Sequence, residues 1–123
     1  MNTHELAIRA GRLMPGMSFN QKVWALTSRI PCGRVTTYGE IARALGSPHA
    51  SRAVGNALNK NPYAPGVPCH RVVGSNGALT GFAGGLPKKR RMLGEEGVSF
   101  KGERADVSDA FTFTAETAEL EPA

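Results

Sequence analysis

Between Ser18 and Asn61 the chain carries three apolar stripes of helical period, and glycine or proline cuts each one short. Phe19, Val23, Leu26 and Ile30 repeat at i, i+4, i+7 and i+11, with Ser18 and Gln21 at capping-box spacing in front and Pro31 and Gly33 behind. Thr37 and Glu40 form a second capping box before Ile41, Ala42 and Leu45, and Gly46 stops that helix. Ser47 is the expected N-cap of a third helix, with Pro48 at its first position and Ala50, Ala53, Val54, Ala57 and Leu58 along one side until Asn61-Pro62. Helices this short are marginal alone in water, so they must bury their stripes against one another. Two of them around a glycine turn read as a helix-turn-helix.

A chain of 123 residues has material for one such core. Residues 1–17 are read as a flexible lead-in or one short helix, with a helical hint at Leu6, Ile8 and Leu13 broken by Pro15-Gly16. Val35-Thr36-Thr37 and Arg71-Val72-Val73 look extended. A proline-rich loop fills 62–68, and a glycine-rich loop runs from Gly81 to Gly85. Pro87 opens a last helix, with Lys88 to Arg91 expected on its polar side, Met92 and Leu93 inward, and Gly97 closing it. The folded domain is expected over 18–100. Residues 101–123, acidic and rich in Ala and Thr, are expected to be a disordered tail.

The net charge of +5 is unevenly placed: residues 1–100 hold 13 Lys and Arg against 4 acids, and 101–123 hold 2 against 6, so the body is +9 and the tail −4. A basic body suits a polyanion, although a charged face is more often simply solvated. No run reaches the roughly 18 apolar residues of a membrane helix, and no signal-peptide pattern is visible, so a cytoplasmic protein is expected. Cys32 and Cys69 are then expected as free thiols. Cys32, Cys69, His4, His49 and His70 show no paired zinc spacing, and no metal or cofactor is expected. Cys69 follows Pro68 and precedes His70 and Arg71, and cations beside a thiol favour the nucleophilic thiolate. On that dipeptide alone a small buried hydrophobe is the better reading.

The wider pattern reverses this. Pro68-Cys69-His70-Arg71-Val72 resembles the active-site signature of O6-alkylguanine-DNA alkyltransferases, in their C-terminal domain. The resemblance extends through Val23-Trp24, Ile30-Pro31, Tyr38-Gly39, Ile41-Ala42, Arg52-Ala53-Val54-Gly55, Asn61-Pro62, Gly81-Phe82-Ala83-Gly84-Gly85 and Glu96-Gly97. It implies a mainly α fold with a short β-hairpin, a winged helix-turn-helix DNA-binding domain. It also implies that Cys69 accepts the alkyl group, that His70 acts as base through a water, and that Glu96 orients His70. Such a relay is what displacement at an alkyl carbon needs, because an ordinary thiol with a pKa of about 8.5 is mostly protonated at neutral pH. By the same resemblance Asn61 supports the active-site turn, and Tyr38 rotates the nucleotide or protonates the departing guanine. Arg52 would fill the place vacated in the duplex, since the O6 substituent is out of reach until the base is flipped. Ser51, Ala53, Gly55, Asn56 and Arg71 would lie at the DNA, in the minor groove, and Val72, Phe82, Ala83 and Gly84 would line the alkyl pocket. The small side chains of the third helix suit close approach to a groove.

Two departures from the family pattern matter. Typical alkyltransferases carry an additional N-terminal domain, and only 17 residues precede the first matching helix here. In length the chain is closer to alkyltransferase-like proteins, which bind alkylated guanine without transfer, recruit nucleotide excision repair and usually carry tryptophan in place of the cysteine. Phe82 also stands where many relatives have tyrosine. The expected reading is a monomeric suicide alkyltransferase acting on duplex DNA that contains O6-alkylguanine. A lesion-binding protein that hands the damage to nucleotide excision repair is the alternative, and an ordinary winged-helix DNA binder with an incidental cysteine is the third reading.

Overall fold

The computed structural model describes residues 2–80 and 85–113. It is mostly helical, with two small two-stranded sheets. In chain order the elements are α1 (Thr3–Arg9), α2 (Phe19–Thr27), β1 (Thr36–Thr37), α3 (Tyr38–Ala44), α4 (Ser51–Asn59), a 3₁₀ turn (Cys69–Arg71), β2 (Val72–Val73), α5 (Leu86–Glu95), β3 (Phe100–Lys101) and β4 (Arg104–Ala105). β1 and β2 pair in parallel, Thr36 opposite Val72, while β3 and β4 form an antiparallel hairpin.

The capping box at Ser18 and Gln21 forms in both directions and starts α2 where the spacing places it. The helix ends at Thr27, earlier than the stripe suggests. Arg29 and Ile30 continue in a tighter turn through bonds to Leu26 and Thr27 carbonyls, and Ile30 still reaches the core. At α3 only half of the expected box forms. Thr37 accepts from the Glu40 N–H, but the Glu40 carboxylate turns to Arg43 and to the backbone N–H of Phe113.

The third helix corrects the sequence reading. Ser47 is not its N-cap: its N–H bonds the Ala42 carbonyl and closes α3 behind Gly46, whose φ is +76°, and its carbonyl takes the Ala50 N–H in a turn that ends before α4 begins. Ser47-Pro48-His49 thus belong to the turn, and α4 begins at Ser51 with no side-chain cap. Val54, Ala57 and Leu58 face inward, and the Trp24 Nε1–H donates to the Ala57 carbonyl at 2.7 Å, tying α2 to α4. One core cluster gathers Val23, Leu26, Ile30, Ile41, Val54 and Val72 with Ala7, Ile8, Leu13 and Phe113. A second lies between Val35, Val73, Leu93, Val98 and Ala105.

Of the two readings of residues 1–17 the short helix forms, and α1 places Ala7 and Ile8 in the core. The other flank is revised, because order does not stop at 100. After the hairpin the chain runs beside β1, where Phe111 N–H donates to the Val35 carbonyl and Thr36 Oγ1 to the Phe111 carbonyl, and Phe113 is 4% exposed. Charge composition described this segment badly because its few aromatics carry the burial. Residues 114–123 lie outside the described residues.

Gly77 is needed for close approach. With φ +88° it receives the Ala105 N–H on its carbonyl, and a Cβ there would meet the Ala105 oxygen at 2.0 Å.

Candidate active site and DNA-binding face

Cys69 begins the 3₁₀ turn, half-buried beside the main core. The turn is held from within by Cys69 N–H to the Val67 carbonyl and Arg71 N–H to the Pro68 carbonyl, both 2.9 Å. Asn61 holds it from outside: its Nδ2 donates to the Val67 carbonyl and its Oδ1 accepts the Tyr63 N–H, each at 2.9 Å. Tyr63 is in turn packed edge-on against Trp24 and lies under the guanidinium of Arg9.

Behind Cys69, His70 is almost fully buried, with its Nε2 3.0 Å from Glu96 Oε2. Glu96 sits at the C-cap of α5 and also takes two bonds from Arg71, Nε to Oε1 at 2.9 Å and Nη2 to Oε2 at 2.8 Å. Arg71 Nη1 donates to the Ile30 carbonyl at 2.7 Å. Its nitrogens are therefore occupied inside the site, which corrects the expectation that Arg71 faces DNA. The bonds from Arg71, and secondarily from His70, hold the Glu96 carboxyl below its ordinary range and keep it ionised. Burial pushes the His70 imidazole down, although Glu96 opposes the shift, so the ring is neutral at physiological pH. An ionised carboxylate on Nε2 places the proton there and leaves Nδ1 as an unprotonated base.

Tyr38, the first residue of α3, donates its hydroxyl to the Thr80 carbonyl at 2.8 Å, and burial pushes the phenol upward, so it keeps its proton. With Ser51, Arg52, Gly55, Asn56, Asn59 and Thr80 it lines one open surface recess. Four of the expected DNA-facing residues thus come together with Tyr38. Ala53 is exposed outside that lining, and Val72 is fully buried in the core. Phe82, Ala83 and Gly84 lie outside the described residues.

One residue escaped the sequence reading. Lys89, expected on the polar side of α5, is 1% exposed. Its Nζ donates to the Val72 carbonyl at 2.6 Å and the Thr80 carbonyl at 2.9 Å, 3.5 Å from the Tyr38 hydroxyl. Burial lowers its pKa to about 8, opposed by attraction to Cys69. The lysine links the strand after Cys69 and His70 to the segment that holds Tyr38. In a run of Lys88-Lys89-Arg90-Arg91 the hint was phase alone, because position 89 precedes the inward Leu93 by one helical turn.

A family model described as "6-O-methylguanine DNA methyltransferase, DNA binding domain" matches residues 18–98. The chain belongs to this family. A methylated-DNA–protein-cysteine methyltransferase of Methanosarcina acetivorans is 55% identical over 82 residues, which cover 67% of this chain and 53% of that protein. The chain spans about half the length of the curated relatives it matches. Among solved structures, Mycobacterium tuberculosis OGT in complex with DNA superposes with a TM-score of 0.64 at 44% identity, covering 76% of this chain and 63% of that one. Schizosaccharomyces pombe Atl1, in complex with damaged DNA containing O6-carboxymethylguanine, gives 0.61 at 31% identity and covers 85% and 95%. The alkyltransferase fold and its helix-turn-helix type of DNA-binding domain are thereby shown for this chain, α3 and α4 forming the helix pair. Among the described residues no helix is long and apolar enough to cross a membrane, and no group of His, Cys, Asp and Glu is placed to hold a metal ion.

Proposed function

We propose that the protein binds duplex DNA carrying O6-alkylguanine in the minor groove, flips the damaged base and moves its alkyl group once and irreversibly to Cys69. The observation that carries this reading is the assembled relay: a half-buried thiol on a braced turn, followed by a neutral imidazole whose Nε2 is fixed 3.0 Å from an ionised Glu96. Cys69 gives up its proton to His70 through a water. Its sulfur attacks the alkyl carbon, an S–C bond forms, and the C–O bond breaks with its electron pair left on guanine. Tyr38 then offers the proton that neutralises the departing base. The protein consumes one nucleophile per lesion.

Arg52, exposed on α4 at the rim of the Tyr38 recess, takes the place of the flipped base. With little but Arg52 and small polar groups along that helix, recognition leans on shape and phosphates, with low sequence preference.

The second reading, lesion binding without transfer followed by nucleotide excision repair, is favoured by one observation: the match to Atl1 spans nearly that whole chain. Intact-protein mass spectrometry after incubation with duplex containing O6-methylguanine separates the two. Transfer adds one methyl in place of one proton on Cys69, stoichiometrically and once. Tight lesion binding with no mass change refutes transfer and establishes the second reading, and equal affinity for damaged and undamaged duplex refutes both.

A further inference from the structure

The relay and the recognition helix leave most of the basic charge unexplained. Near the helix pair, Arg43 is held by Glu40 and by the Phe113 carbonyl, which leaves Arg52 and, just past α4, Lys60. A different face is far richer in cations. α5 exposes Lys88, Arg90 and Arg91, and the β3–β4 hairpin beside it exposes Lys101 and Arg104. Of these five, only Lys101 has a carboxylate within ion-pair distance among the described residues, at 3.7 Å.

Three features make this face more than a solvated charge run. Arg90 and Arg104 line the same open groove, with Leu79, Leu86 and Pro87 as its apolar wall and Glu103 as its one acid. The Arg90 guanidinium lies 4.1 Å over the Phe100 ring, which restrains it before any partner arrives. The groove also adjoins the recess at the recognition helix: Ala78 and Leu79 line the groove, while the next residue, Thr80, lines the recess and accepts the Tyr38 hydroxyl.

We infer that the face formed by α5 and the β3–β4 hairpin is a second DNA contact, taking the phosphodiester backbone of the same duplex beyond the segment bound by α4. This rests on the DNA-binding reading above and adds where the affinity comes from. Exposed guanidinium groups suit phosphate oxygens, and Leu86, 46% exposed, suits the sugar edge between them. Helix α4 then supplies position and lesion reading, and this face supplies sequence-independent attraction.

The test is the salt dependence of binding to a duplex with and without O6-methylguanine, for the native chain and for the triple variant Arg90→Gln, Arg91→Gln, Arg104→Gln. Each lost phosphate contact lowers the slope of log Kobs against log salt by about 0.9, so the slope should fall by about 2 to 3, with the same loss for both duplexes. The double variant Arg91→Gln, Arg104→Gln leaves the Arg90–Phe100 contact intact and should lose about 1.8. Native lesion binding with an unchanged slope in both variants overturns this surface alone. Absence of salt-dependent duplex binding by the native chain overturns the DNA-binding reading with it.

Discussion

Replacing Glu96 by Gln keeps the shape of the relay and removes its charge and one acceptor. The two Glu96 oxygens receive Arg71 Nε on one side and Arg71 Nη2 with His70 Nε2 on the other. An amide has a single oxygen. If that oxygen serves Nη2 and His70, its NH₂ faces Arg71 Nε, donor against donor. One charge-assisted bond is lost, about 1.5–3 kcal/mol in a largely buried setting. At about 4 °C per kcal/mol for a domain of this size, melting should drop by about 6–12 °C. The chemical step loses the carboxylate that fixes the His70 tautomer and stabilises the imidazolium formed as it takes the thiol proton. The same 1.5–3 kcal/mol, now taken from the barrier, slows transfer by about 10- to 150-fold. The assay is single-turnover methyl transfer from a saturating O6-methylguanine duplex, followed by intact mass well below the variant's melting point. A melting drop of the expected size with a transfer rate within about twofold of native would refute the reasoning and reduce Glu96 to a structural anchor.

Lys89→Met tests the buried cation. The folded pKa of about 8 lies below the ordinary 10.5, so between those values the unfolded chain binds more protons and this group adds stability as pH rises; below about 8 its burial cost is constant. In urea unfolding, native stability should therefore climb relative to the variant by up to about 1.4 kcal/mol per pH unit above pH 8, and parallel curves would refute the assignment. Phe113→Ala should cost about 3 kcal/mol, because the ring is 4% exposed in the main core; a loss under about 1 kcal/mol would show that the segment after the hairpin is not part of the cooperative unit. Arg52→Ala should weaken binding of the lesion duplex about tenfold or more while melting stays within a degree or two, since the side chain is exposed; unchanged affinity counts against its place in the duplex.

Local rules carried the starts of α2 and α3. Ser18 and Gln21, and Thr37 with Glu40 in part, cap helices within four residues of sequence, and such contacts depend on no distant partner. On the Cys69-His70 pair alone a small buried hydrophobe is the better reading, and the roles of Cys69, His70 and Glu96, 26 residues beyond His70, come only through resemblance to a family. Tertiary structure decided what depended on competition for a partner. Ser47 was taken into the turn that closes the preceding helix, through its N–H to Ala42 and its carbonyl to Ala50, so α4 starts beyond it, and Arg71 was drawn inward by Glu96 and the Ile30 carbonyl. Lys89, alike in sequence to three neighbouring cations, was buried because the carbonyls of Val72 and Thr80 met its ammonium at one point in space. Spacing set where α2 and α3 begin. Which charges stay exposed and which are enclosed is set by long-range partners, and only the packed chain brings those within hydrogen-bonding distance.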